Sequence, residues 1–107
     1  MVDPQNKEVM PEPGVDNYEL LGNFPNPFNP STKISFTMPE ANFVTIKIYN
    51  SIGQLVRTLV NENMNKGHHT LEWNATDDHG NNLGTGIYLY RIQAGNFIQT
   101  SKMIYMK

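Results

Sequence analysis

A chain of 107 residues with a formal net charge of -2 and 17% charged side chains is one domain at most, big enough for a single core and too small for a core plus a deep catalytic cleft. That charge supplies no basic field to collect nucleic acid and no cationic face for anionic lipid. No apolar run approaches the roughly 20 residues that cross a bilayer, and the absence of cysteine removes disulfide and thiolate chemistry while leaving the compartment open.

The start, "MVDPQNKEVMPEPGVD", holds three prolines, Pro4, Pro11 and Pro13, and no apolar period. It lacks both the basic and the apolar region of a signal peptide and reads as a linker or tail over residues 1–17, ahead of a folded domain at 18–107. A tail that begins with Met and leads into a compact module fits a piece cut from a longer parent.

Next comes "GNFPNPFNPST". Pro25, Pro27 and Pro30 fix φ and push Phe24, Asn26 and Asn29 toward extended backbone, so the chain enters a sheet as a stiff edge with few N–H donors. Such an edge resists pairing with another chain. Phe24 and Phe28 are expected to pin it to the core, with Asn26, Asn29 and Ser31 bonding to nearby backbone groups.

From Tyr18 onward the period is two, broken by turn residues at short intervals. "KISFTM" places Ile34, Phe36 and Met38 on one face, and "VTIKIY" does the same with Val44, Ile46 and Ile48. "PEAN" between them and "NSIG" after Tyr49 carry turn residues and read as hairpin connections. "QLVRTLV" has a spacing that also fits a helix, but it is short and rich in Val and Thr, so it reads as a strand with a bulge. "HHTLEW" follows "NMNKG", and "GIYLYRIQAGNFIQTSKMIYM" reads as two long strands folded about Ala94, Gly95 and Asn96. Seven or so short strands without an amphipathic helix predict an all-β, antiparallel seven-stranded β-sandwich of immunoglobulin or fibronectin type III style, with a small closed barrel as the competing fold. Trp73 is expected in its middle, with Tyr88 and Tyr90 laying their rings on the same core.

Constellations that would carry chemistry are sparse. His68 and His69 are adjacent, so on a strand they face opposite ways and cannot chelate one ion. No Gly-x-Ser-x-Gly elbow occurs, and Ser31, Ser35, Ser51 and Ser101 have no histidine near in sequence. In "NATDDHGNNLGTG", Asp77, Asp78 and Asn81 are spaced loosely like calcium ligands, with Asn82 beyond, but the closing bidentate glutamate is missing. The loop therefore reads as a solvated turn, and nothing near Asp77 or Asp78 would raise a carboxyl pKa or hold a sugar for glycoside hydrolysis. Phe43, Tyr49 and Phe97, if aligned, would make an aromatic strip for carbohydrate. No metal, cofactor or enzymatic activity is expected.

Four blocks, "NFPNPFNPSTKISF", "IKIYNSIGQLVRTL", "GHHTLEWNATDDHGNNLGTGIYLYRI" and "SKMIYMK", together resemble the type A C-terminal sorting domain of type IX secretion cargo. They are also similar to the immunoglobulin-like domain of the flagellar hook-capping protein. The resemblance spans residues 18–107. It implies a non-catalytic domain at the C-terminus of a larger exported protein, acting as secretion signal and cell-surface attachment module. The implied partners are the outer-membrane export machinery and an upstream domain, reached by way of the periplasm, with a secreted or cell-surface destination.

On that resemblance the motif Phe24, Pro25, Asn26, Pro27, Phe28, Asn29 and Pro30 is either a clasp that defines the fold or a surface read by export machinery. Lys102, Met103, Ile104, Tyr105, Met106 and Lys107 form the terminal signal. The competing functions are a structural immunoglobulin-like module, of hook-capping or spacer type, and an accessory carbohydrate-binding domain of a surface enzyme.

Overall fold

The computed structural model describes residues 16–107; most of the expected tail, residues 1–15, lies outside the described residues. Seven strands follow in order: β1 Glu19–Phe24, β2 Thr32–Met38, β3 Asn42–Tyr49, β4 Leu55–Met64, β5 Gly67–Trp73, β6 Gly86–Ala94 and β7 Phe97–Tyr105. Among the described residues there is no helix. One sheet has the order β1-β2-β5 and the other β4-β3-β6-β7, and every strand pairing is antiparallel. This is an immunoglobulin-like sandwich with a three-stranded and a four-stranded sheet.

Alternation decides which side chains meet between the sheets. β2 buries Thr32, Ile34, Phe36 and Met38, β3 buries Val44, Ile46 and Ile48, and β6 buries Tyr88, Tyr90, Ile92 and Ala94. The interior falls into two clusters. One gathers Ile34 and Ile48 around Phe28, Trp73, Tyr88, Tyr90 and Tyr105. The other is mostly aliphatic, around Phe36, Val44, Ile46 and Ile92. Trp73 is 1% exposed, and its indole N–H donates to Thr76 O at 2.9 Å, which removes the cost of burying a polar group.

Two turns behave as expected. Asn50 closes the β3–β4 hairpin, its Oδ1 accepting the N–H groups of Ile52 and Gln54. Gly95 begins the β6–β7 turn at φ +60, a region that glycine enters without steric cost. The segment "QLVRTLV" is a strand, with register shifts against β3 at Ile46/Lys47 and Ile48/Tyr49.

Three readings are corrected. The "PEAN" segment is no hairpin: β2 and β3 lie in different sheets, so it carries the chain across the sandwich. β4 continues to Met64 because an edge strand needs backbone partners, which β3 supplies as far as Asn42, rather than apolar side chains. An additional strand, β1, precedes the proline segment; its alternation is broken by Gly22 at φ +100 and by a register shift between Leu20 and Gly22.

Candidate functional site

β7 is an edge strand of the four-stranded sheet, and the proline segment lies along it. Phe28 N–H donates to Ile104 O at 2.9 Å, and Met106 N–H donates to Phe28 O at 3.1 Å. These two bonds make an isolated parallel bridge between Phe28 and Tyr105. Asn26 extends it with its side chain: Oδ1 accepts Ile104 N–H at 2.9 Å, and Nδ2 donates to Lys102 O at 3.4 Å. The chain thus pairs with one sheet through β1, then crosses and pairs with the other. The peptide bonds before Pro25, Pro27 and Pro30 are cis.

The Phe28 ring follows its backbone inward and is 1% exposed. It stacks on Tyr105 at 5.0 Å and tilts against Trp73 at 5.8 Å, and Trp73 meets Tyr88 edge-on at 5.5 Å. Four rings therefore join the proline segment, β7, β5 and β6. The entrance is fixed at its other end by Thr32, whose hydroxyl donates to Pro25 O at 2.8 Å. Asn23 Nδ2 donates to that hydroxyl oxygen, and Tyr90 donates to Asn23 Oδ1.

Phe24 is a correction: it is 81% exposed and does not pin the segment. Phe24 ends β1, on the solvent side of the crossing, whereas Phe28 points into the sandwich. The polar side chains of the segment also differ from expectation. Asn26 bonds to β7, 76 and 78 residues away in sequence, instead of to its neighbours, and Ser31 donates to Glu72 at 2.8 Å.

Within the terminal segment, Met103 and Tyr105 belong to the core, while Met106 is 52% exposed. Lys102 and Lys107 are exposed, and Ile104 is half-buried. Lys107 N–H donates to Thr85 Oγ1. The inward-facing positions pack in the core, and Lys102, Met106 and Lys107 are open to solvent.

The acidic loop is organised by its own backbone. Asp77 Oδ1 accepts the N–H groups of His79 and Asn81, both at 2.9 Å, and Oδ2 accepts Asn81 Nδ2 at 3.4 Å. The Asn81 N–H contributes most to holding the Asp77 carboxyl below its ordinary pKa; partial desolvation opposes it, and the His79 N–H and Asn81 amide add to it. Asp78 Oδ1 accepts Thr58 N–H and lies 3.7 Å from Arg57 Nε. Arg57 also donates to Thr76 Oγ1 and Asp77 O, which ties the loop to β4.

Tyr88 donates to Gly84 O at 2.6 Å, a bond from the start of a strand back to the preceding corner that is typical of immunoglobulin-like sandwiches. Burial pushes the phenols of Tyr88 and Tyr90 upward. His69 lies against Phe36 at 5.3 Å, on the opposite face of β5 from His68. Phe43, Tyr49 and Phe97 do not align into an aromatic strip. Phe97 stacks on Tyr18 at 5.5 Å, while Phe43 and Tyr49 stand at opposite ends of β3.

These features define a small immunoglobulin-like module whose last strand is closed off by its own proline-rich entrance. The chain belongs to the FlgD Ig-like domain family, whose model matches residues 25–96. No curated protein matches it significantly.

Several solved structures share the fold. Dimeric latent PorU from Porphyromonas gingivalis superposes with a TM-score of 0.68 at 24% identity, over 83% of this chain and 9% of that one. PorZ, described as an essential surface component of the type IX secretion system of the same organism, gives 0.55 at 16% identity, over 88% of this chain and 12% of that one. FlgD from P. aeruginosa gives 0.59 at 18% identity, over 85% of this chain and 71% of that one. The chain therefore spans only about a tenth of the first two.

Proposed function

We propose that this module is the non-catalytic C-terminal sorting and attachment domain of a larger exported protein, carried to the cell surface or medium through the periplasm. The observation that supports it best is the convergence of the proline motif and the terminal strand on one edge. Asn26 and Phe28 occupy the hydrogen-bonding edge of β7, so Lys102, Met106 and Lys107 are presented in a fixed geometry. Likeness to a small part of the PorZ chain agrees with a domain appended to a larger protein.

The test separates the signal from the fold. Deleting residues 101–107 would remove Met103 and Tyr105 from the core and unfold the domain. Outward residues should be changed instead: a secreted reporter carrying the chain at its C-terminus, expressed in a host with type IX export, should reach the surface. The combined Lys102→Ala, Met106→Ala and Lys107→Ala variant should stay in the periplasm with its melting temperature unchanged. Export of that variant at the parent level would refute the reading.

The second reading is a structural immunoglobulin-like module of hook-capping type, favoured by the family match over residues 25–96. It predicts that the chain directs no export at all.

A further inference from the structure

The net charge of -2 conceals a one-sided distribution. On the outer face of the three-stranded sheet, Lys33 stands directly opposite Glu72, the ordinary opposite-sign pair. On the outer face of the four-stranded sheet, Lys47 stands opposite Arg91, and Lys102 lies opposite Leu89 one strand further on. Like charges directly opposite each other destabilise a sheet. Among the described residues no carboxylate lies within salt-bridge distance of these three cations. None is found at the outward positions of β3, β6 and β7, or at Asn61 and Asn63 on β4. The expectation that the chain has no cationic face holds for its total charge and not for this sheet.

The rest of the face is suited to a sugar. Phe43, Thr45, Lys47 and Gln93, with Asn42 and Gly95 at the end, line an open depression of about 350 Å³. Phe43 is 46% exposed and presents a ring on which the apolar face of a pyranose can lie. Thr45 and Gln93 are directly opposite each other and offer hydroxyl and amide partners. Arg91 is already placed, its guanidinium 5.8 Å from the Tyr49 ring centre and donating to the Tyr49 hydroxyl at 3.3 Å.

We infer that this face binds an acidic polysaccharide, with Lys47 and Arg91 meeting a sugar carboxylate or sulfate and Phe43 stacking on the adjoining ring. Charge-assisted bonds to both cations would offset their mutual repulsion. The observations favour a glycan over other polyanions. A peptide adding a strand would use a sheet edge and not a face, and single-stranded nucleic acid would need successive aromatic platforms where this depression has one.

The whole chain should be run by affinity electrophoresis through gels containing polygalacturonate, neutral dextran or poly-glutamate. Retardation is expected in polygalacturonate alone. Lys47→Ala and Arg91→Ala should each weaken it about tenfold, the fold-change of one charge-assisted hydrogen bond. Phe43→Ala should weaken it at every salt concentration, and Lys33→Ala, on the other sheet, should leave it unchanged. The melting temperature of Lys47→Ala should equal or exceed that of the parent, since a like-charge neighbour is removed. The inference is overturned by an absence of retardation, by equal retardation in poly-glutamate, or by an equal effect of Lys33→Ala.

Discussion

The side chain of Asn26 accepts the backbone N–H of Ile104 at 2.9 Å across 78 residues of sequence, and two residues later Phe28 takes over the same edge with its own backbone. A proline-rich segment has few N–H groups to offer. Here an asparagine side chain supplies both an acceptor and a donor in place of the missing peptide groups, so the edge of β7 from Lys102 to Met106 is occupied by the chain's own entrance.

The two phenylalanines of this motif should therefore separate sharply in stability. Phe28→Ala removes a buried ring held between Tyr105 and Trp73 and should cost about 3–5 kcal/mol, a large share of the stability of so small a domain. Phe24→Ala, at a ring 81% exposed, should stay within about 0.5 kcal/mol of the parent. Urea midpoints of the two variants decide it, and equal midpoints would contradict the packing.

Asn26→Ala should act locally. It removes two hydrogen bonds to β7, but water can reach the freed groups, so the loss should be about 1 kcal/mol. Amide exchange measures the local effect directly. The Ile104 N–H should exchange faster in Asn26→Ala, while N–H groups between β2 and β5 keep their parental order of protection. Uniform acceleration would mean that Asn26 supports the whole fold and not one edge.

The strands were readable where burial imposes a period. Ile34 and Phe36, Val44 and Ile46, and Tyr88 and Tyr90 lie two apart and all face the core, and Gly95 stands where the backbone requires positive φ. Reading failed where no period applies. In the proline segment nothing local distinguishes an inward Phe28 from an outward Phe24, because the difference arises from pairing with a strand more than 70 residues away. Turn residues likewise look the same whether a connection closes a hairpin or crosses between sheets, as with "PEAN". The bulge and the positive φ at Gly22 hid β1. The site was legible as two motifs, and their juxtaposition was not.

Titration should erode stability at both ends of the pH scale. The Asp77 carboxyl is held below its ordinary value of 3.8, so its contribution is present above that value and lost as pH falls through the lower folded value. Tyr88 and Tyr90 are shifted upward from 10.0 by burial. Their contribution is complete below that value and disappears as pH rises through the higher folded values. Melting temperatures measured from pH 2 to pH 12 should show both declines. In Asp77→Asn, whose side-chain oxygen can still accept the two N–H groups, the acid decline should be shallower; an unchanged acid limb would show that other carboxyls carry it.

Calcium should leave the domain's stability unchanged, although Asp77, Asp78 and Asn81 sit together in one loop. Asp77 Oδ1 already accepts two backbone N–H groups, and Asp78 Oδ1 accepts a third, from Thr58. An ion would have to compete with these bonds before gaining any ligand, and the loop has no bidentate glutamate to close the shell. Such a site binds no more tightly than the weak extracellular class, about 10⁻⁴ to 10⁻³ M. Any binding to the folded state would raise the melting temperature by mass action, so heating in millimolar calcium and then in chelator is a sensitive comparison. The two temperatures should agree. A rise of several degrees in calcium, abolished by Asp77→Asn or Asp78→Asn, would show that the loop opens its hydrogen bonds to take up an ion.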